Sequence, residues 1–164
     1  FNILNEDDER IEQPPNIQKQ LFNHQKTIIK KFSINHTSIE YSHQDKIAHR
    51  DLKPENVLFN KDGYLLLADF GLATKVDNNK VAWSFCGTAE YLSPEMLTGE
   101  GHDHTVDWWT LGILLYEMLV GIPPFFDRNR NQMYRSIRNA NVTYPIKERH
   151  NIEVLPVAQD FINK

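Results

Sequence analysis

The chain has 164 residues, 40% of them hydrophobic, with 22 acidic against 18 basic side chains and a net charge of −4. That is one ordinary domain's worth of chain with enough apolar material for a core, and the absence of a basic surplus argues against a nucleic-acid binder. A single cysteine, Cys86, excludes an internal disulfide framework and fits a reducing compartment, so the cytoplasm, with the nucleus as a second setting, is the expected location.

Residues 1–20 open acidic: the first twelve carry Glu6, Asp7, Asp8, Glu9 and Glu12 against Arg10, which accounts for the whole net charge of −4. They continue Pro-, Asn- and Gln-rich through Pro14-Pro15, and read as a mobile lead-in to a domain over 21–164. Leu21, Phe22, Ile28, Ile29 and Phe32 then make a weak helical pattern. After Ile47-Ala48 comes the octet His49-Arg50-Asp51-Leu52-Lys53-Pro54-Glu55-Asn56, followed by Val57-Leu58-Phe59. That order reads as strand, polar loop, strand, a place where catalytic groups are displayed. Asp51 offers a carboxylate, Lys53 an ammonium and Asn56 a neutral oxygen ligand. This set suits phosphoryl transfer, which is mostly positioning and charge stabilisation.

Val57–Phe59 and Tyr64–Leu67 flank Asp62-Gly63, whose glycine supplies the positive φ of a tight hairpin. The second strand leads to Asp69-Phe70-Gly71, then to a polar tip at Asp77–Lys80 and to the segment Trp83–Glu95. His102-Asp103-His104 offers two imidazoles, but no third ligand group lies at a useful spacing, and Gly99 and Gly101 beside it predict a solvated loop. Residues 106–120 are almost wholly apolar and predict a buried helix, stopped by Gly121 and Pro123-Pro124. At 15 residues, interrupted by Asp107 and Glu117, the run falls short of the roughly 20 that a membrane helix needs, so no membrane insertion is expected. Pro156 opens a last short amphipathic helix.

The octet resembles the catalytic loop of the protein kinases, whose order H-R-D-L-x-x-x-N is met residue for residue, and Lys53 is similar to the serine/threonine branch. Asp69-Phe70-Gly71 matches the family's metal-binding triplet. Trp83–Glu95 resembles the activation segment of the AGC serine/threonine kinases, with Ala89 and Ser93 as departures, and Arg128–Ile137 is most similar to the protein kinase B and serum/glucocorticoid-regulated kinase branch.

The resemblance implies roles. Asp51 is the base, Lys53 steadies the transferred phosphate, and Thr88 bonds both. Asn56 and Asp69 hold Mg²⁺ against ATP, with Leu58 beside the nucleotide. Ser84 is a phosphorylation switch docking on Arg50, acted on by an upstream kinase, with an unmodified surface serine as the plain alternative. Glu55, Glu90 and Glu117 select protein substrates with upstream Arg or Lys; for Glu117 a salt bridge inside the lobe is the alternative. His49, Phe70, Gly71, Glu95 and Asp107 are structural: Phe70 packs on His49, Glu95 pairs with an arginine beyond Lys164, and Asp107 bonds the catalytic-loop backbone. Ile39, Tyr41 and His43 match the end of the helix before the loop. Cys86 is either packing filler or a redox switch.

The fold class expected is therefore mainly α with short β-hairpins, a protein-kinase-like large lobe truncated at its C-terminal end, with the small ATP-binding lobe absent. The first glycine is Gly63, so no Gly-rich phosphate loop precedes the octet, and neither the ATP-binding lysine nor its αC glutamate has a place. Two functions stay open: a serine/threonine kinase of which this is the large-lobe piece, and a catalytically inactive lobe that binds peptide or a partner protein.

Overall fold

The computed structural model describes residues 38–59, 61, 65–76, 81–146 and 152–163. The lead-in 1–20, the weak helix over 21–32, the turn at Asp62-Gly63 and the tip at Asp77–Lys80 lie outside the described residues. The described portion is helix-rich with a few short strands: α1 over 38–44, α2 (Pro94–Thr98), α3 (Val106–Val120), α4 (Arg130–Asn139) and α5 (Pro156–Ile162), with β1 (Ile47–Ala48), β2 (Val57–Phe59), β3 (Leu65–Leu67) and β4 (Thr74–Lys75).

The centre is α3. Leu111, Leu114, Leu115 and Leu119 are buried on it, and Ile39 of α1, Leu52, Tyr91, Phe125, Met133 and Ile137 of α4, Val154 and Ala158 of α5 pack into the same cluster. A helix apolar on nearly every face is stable only when wrapped on all sides. α3 ends where Gly121 adopts φ +97 and donates its N–H to Glu117 O at 2.7 Å, a left-handed cap that a side chain would strain. Trp109 stacks on Phe125 with centroids 5.7 Å apart, and Tyr116 Oη donates to Thr143 O at 2.8 Å, tying α3 to the chain after α4.

β2 and β3 pair antiparallel in the register Val57↔Leu67, Leu58↔Leu66, Phe59↔Leu65. Alternation puts Val57 and Leu67 against the core and leaves Leu58 and Leu66 about half exposed on the other face. β1 pairs antiparallel with β4, Ile47↔Lys75 and Ala48↔Thr74, a long-range pairing with no local signal in the sequence. These two ladders hold the ends of the octet loop. A further bridge joins Ala82 and His102, each donating its N–H to the other's carbonyl at 2.8 and 2.9 Å. Among the described residues no helix is long and apolar enough to cross a membrane.

Candidate active site

The octet leaves β1, runs across the N-terminal end of α3 and enters a short 3-10 turn, Pro54–Asn56, before β2. Its anchor is Asp107, with no exposed surface, in the first turn of α3 where the helix dipole favours a carboxylate. Oδ1 accepts the Arg50 N–H at 2.8 Å. Oδ2 accepts the His49 N–H at 2.8 Å and the His43 Nε2–H at 2.9 Å. Three donors thus compensate a charge that burial alone would make costly. His43 is a partner that periodicity did not single out; only its place six residues before His49 hinted at it.

His49 works in the same loop. Its Nε2 lies 3.0 Å from Ala68 O, which can only accept, so the proton sits on Nε2 and Nδ1 accepts the Asp51 N–H at 3.3 Å. Phe70 meets the ring edge-on at 4.8 Å, while half exposed itself. Arg50 and Asp69 both adopt left-handed backbone, φ +70 and +60, two of the four such non-glycine residues among those described. Strained conformations of this kind concentrate at working sites.

Asp51 is 6% exposed. Its Oδ1 accepts both the Thr88 N–H at 3.1 Å and the Thr88 Oγ1–H at 2.8 Å; its Oδ2 faces Lys53 Nζ at 2.8 Å. Lys53 Nζ also reaches Thr88 Oγ1 at 3.3 Å, closing a triangle. Burial pushes the Asp51 carboxyl upward, but the hydrogen bonds from Lys53 and Thr88 and the Lys53 charge outweigh it and hold it below the usual carboxylate value. The Asp51 hydrogen bond in turn raises Lys53, against the opposing effect of burial. Gly87 permits this approach. At φ +106, a Cβ there would lie 2.9 Å from Arg50 O, so a side chain would push the Thr88 segment off the loop.

Asn56 is buried and donates Nδ2–H to Asp51 O at 2.8 Å, which leaves its Oδ1 as an acceptor. Asp69 is exposed and caps the turn Phe70–Leu72, its Oδ1 accepting the Gly71 N–H at 3.1 Å. An amide oxygen and a carboxylate are hard donors that fit Mg²⁺, which takes one or two protein oxygens and fills its shell with phosphate and water. Among the described residues no group of three or more His, Cys, Asp or Glu side chains could hold a metal, the His102–His104 stretch included. His102 is also not solvated as its glycine neighbours predicted: it is 4% exposed, drawn inward by its bridge to Ala82.

Two flanking groups complete the site. Tyr91 Oη donates to Glu117 Oε2. Burial pushes that hydroxyl far above the usual phenol range, and Glu117 adds to it; the fields of Glu55 and Glu90 reach the same oxygen. The three carboxylates therefore share one neighbourhood. Tyr91 was missed as a site residue, although its place in Thr88–Glu95 was the available signal. On the other flank, Arg50 Nη1 donates to Ser84 Oγ at 2.5 Å, and Cys86 Sγ lies 3.9 Å from that hydroxyl. Glu95 is half-buried in the first turn of α2, away from Asp51's partners.

A buried carboxylate clamped by a lysine and a threonine thus lies beside an amide and a second aspartate on adjoining loops. The chain belongs to the protein kinase family: the profile of the protein kinase domain matches residues 9–164, starting inside the 1–20 segment. The AGC-type resemblance stands with it. The chain is 48% identical over 129 residues to serine/threonine protein kinase ypkA of Aspergillus fumigatus, covering 77% of this chain and 20% of that one. It is 45% identical over 128 residues to cAMP-dependent protein kinase catalytic subunit 3 of Drosophila melanogaster (78% and 21%), and 47% identical over 118 residues to serine/threonine-protein kinase sgk-1 of Caenorhabditis elegans (71% and 25%). The chain thus spans a fifth to a quarter of the length of these curated relatives.

Proposed function

We propose that this chain carries the catalytic loop of an AGC-type serine/threonine kinase that transfers the γ-phosphoryl group of ATP to serine or threonine hydroxyls of proteins with upstream Arg or Lys. The observation that carries this reading is the Asp51–Lys53–Thr88 triangle. Asp51 is kept ionised and accepts the proton of the attacking hydroxyl. Lys53, already at the carboxylate, steadies the incoming phosphoryl oxygens. Thr88 orients the carboxylate through two hydrogen bonds to a single oxygen, leaving the other toward the lysine. Asn56 and Asp69 would hold Mg²⁺, and Leu58, half exposed on the outer face of β2, would lie against the nucleotide. Mg-ATP, when bound, supplies the phosphoryl group and neutralises charge on it. Glu55, Glu90 and Glu117, gathered around Tyr91, would attract basic substrate residues, and Ser84 on Arg50 is the natural modification site.

A second reading, a lobe that binds a partner without turnover, is favoured by one observation: Leu58, Leu66, Phe70 and Leu72 expose an apolar face beside the site. A phosphotransfer assay separates the two. With Mg-ATP and an arginine-rich peptide, turnover of about 1 per second that disappears in Asp51→Asn sinks the binding-lobe reading; equal, negligible rates in both proteins favour it for this chain.

A further inference from the structure

His102 is a buried imidazole that the proposed reaction does not use, yet it faces the group most poised for modification. Arg50 explains the arrangement. Its Nε and Nη2 both donate to Leu72 O, at 2.8 and 2.5 Å, which fixes the guanidinium plane. Nη1 is left pointing to two groups at once, Ser84 Oγ at 2.5 Å and His102 Nε2 at 3.5 Å. A guanidinium only donates, so His102 presents the Nε2 lone pair and carries its proton on Nδ1. The backbone bridge between Ala82 and His102 holds His102 beside the stretch of chain that leads, two residues on, to Ser84.

We propose that His102 and Arg50 together form the seat for a phosphoryl group on Ser84, with His102 taking up a proton and donating Nε2–H to a phosphate oxygen. The inference rests on the reading of Ser84 as a phosphorylation site. The modification forms the Ser84 Oγ–P bond and breaks the bond from the γ-phosphorus of ATP to its bridging oxygen, with ADP leaving and the hydroxyl proton released. The group brings about −1.5 to −2 charges to a point between the Arg50 and His102 side chains. Both share the Nη1 contact, so a phosphate on Oγ comes within reach of Nε2.

The surroundings give the exchange its sign. Without phosphate, burial first and the Arg50 charge second hold His102 below its usual value; Glu95 on α2, Asp103 beside it and Asp107 on α3 oppose this and do not prevail. The fold then favours neutral His102, a contribution present above about pH 6.5 and lost as pH falls. A phosphate dianion within hydrogen-bond range reverses the balance and makes a charge-assisted bond. His102 is then raised, and its contribution is complete below about pH 6.5 and lost as pH rises through the new value. Phosphorylation of Ser84 thus inverts the pH dependence contributed by His102.

The test uses the protein carrying phosphoserine incorporated at position 84, so that no upstream kinase is needed. Proton NMR of the His102 ring in the unmodified and phosphorylated proteins is expected to show its titration midpoint moving from below to above about 6.5. The ³¹P titration of the phosphoserine is expected to show about tenfold weaker proton affinity than in His102→Gln. Identical His102 titrations in the two wild-type forms overturn the inference without any variant. A phosphate titration sensitive to Arg50→Lys but not to His102→Gln overturns it while leaving the Ser84 switch standing. A phosphate titration insensitive to both overturns the switch as well.

Discussion

Asp51 shows how one carboxylate is divided between two tasks: one oxygen is held by Thr88 and the other is kept facing Lys53. Replacing it by Asn preserves shape and removes the proton acceptor, so the phosphotransfer rate is expected to fall by about 10²–10⁴-fold with peptide KM little changed. The pH dependence has two limits. The depressed Asp51 carboxyl stabilises the fold above its ordinary value of 3.8, and that contribution is lost as pH falls through the depressed value. The raised Lys53 contributes below its ordinary value of 10.5, and that is lost as pH rises through the raised value. Denaturation of wild type and Asp51→Asn should therefore differ by a constant amount between about pH 5 and 9 and converge in acid below the carboxylate range. Asp107→Ala is a larger perturbation. It strips the acceptor from two buried backbone N–H groups, each at about 1–3 kcal/mol, so urea titration should show a loss of several kcal/mol. A loss under 1 kcal/mol would contradict the anchoring role.

Among the elements, α3 was the most legible in sequence. Fifteen residues with apolar character on every face permit only a buried helix, and Gly121 followed by Pro123-Pro124 marks its end. Leu114→Ala is expected to cost about 2–5 kcal/mol by denaturant unfolding, because the leucine is 1% exposed and ringed by α1, α4 and α5 residues. Gly87→Ala should cost some global stability, because alanine at φ +106 meets the Arg50 carbonyl, and should lower the phosphotransfer rate further than that loss explains, since the added Cβ displaces Thr88 from Asp51. Equal loss of stability and activity would argue against that local effect. The β2–β3 pair was legible from two short apolar runs flanking an Asp-Gly turn sequence. The β1–β4 pair was not, because two-residue strands carry no periodicity and their partners lie a catalytic loop and a hairpin apart. His102 was misjudged for a related reason. Flanking glycines predict a solvated loop, and a single long-range bridge to Ala82 overrides them.

For the molecule as a whole, the site is assembled from four separate stretches of chain around the N-terminal end of α3. Ligand binding is the global test of that assembly. If Asn56 and Asp69 hold Mg²⁺ against a nucleotide, Mg-ATP at about 100-fold over its dissociation constant should stabilise the fold by about 2.7 kcal/mol. The Asn56→Ala, Asp69→Ala double variant should lose the magnesium-dependent part, as read by thermal unfolding with and without the cation.

By itself the sequence determined the family. The octet His49–Asn56, the triplet Asp69–Gly71 and the segment Trp83–Glu95 stand in the order of a protein kinase domain. Their residue types follow from local requirements, which are written in short runs of chain. The resemblance already implied Thr88 on Asp51, the loop backbone on Asp107 and Ser84 on Arg50. Only the tertiary structure put His43 on Asp107, Tyr91 among three carboxylates and His102 against Arg50. Those contacts join residues from 26 to 64 positions apart. Over such separations they depend on how α3 and the two ladders pack together, and no local pattern encodes them.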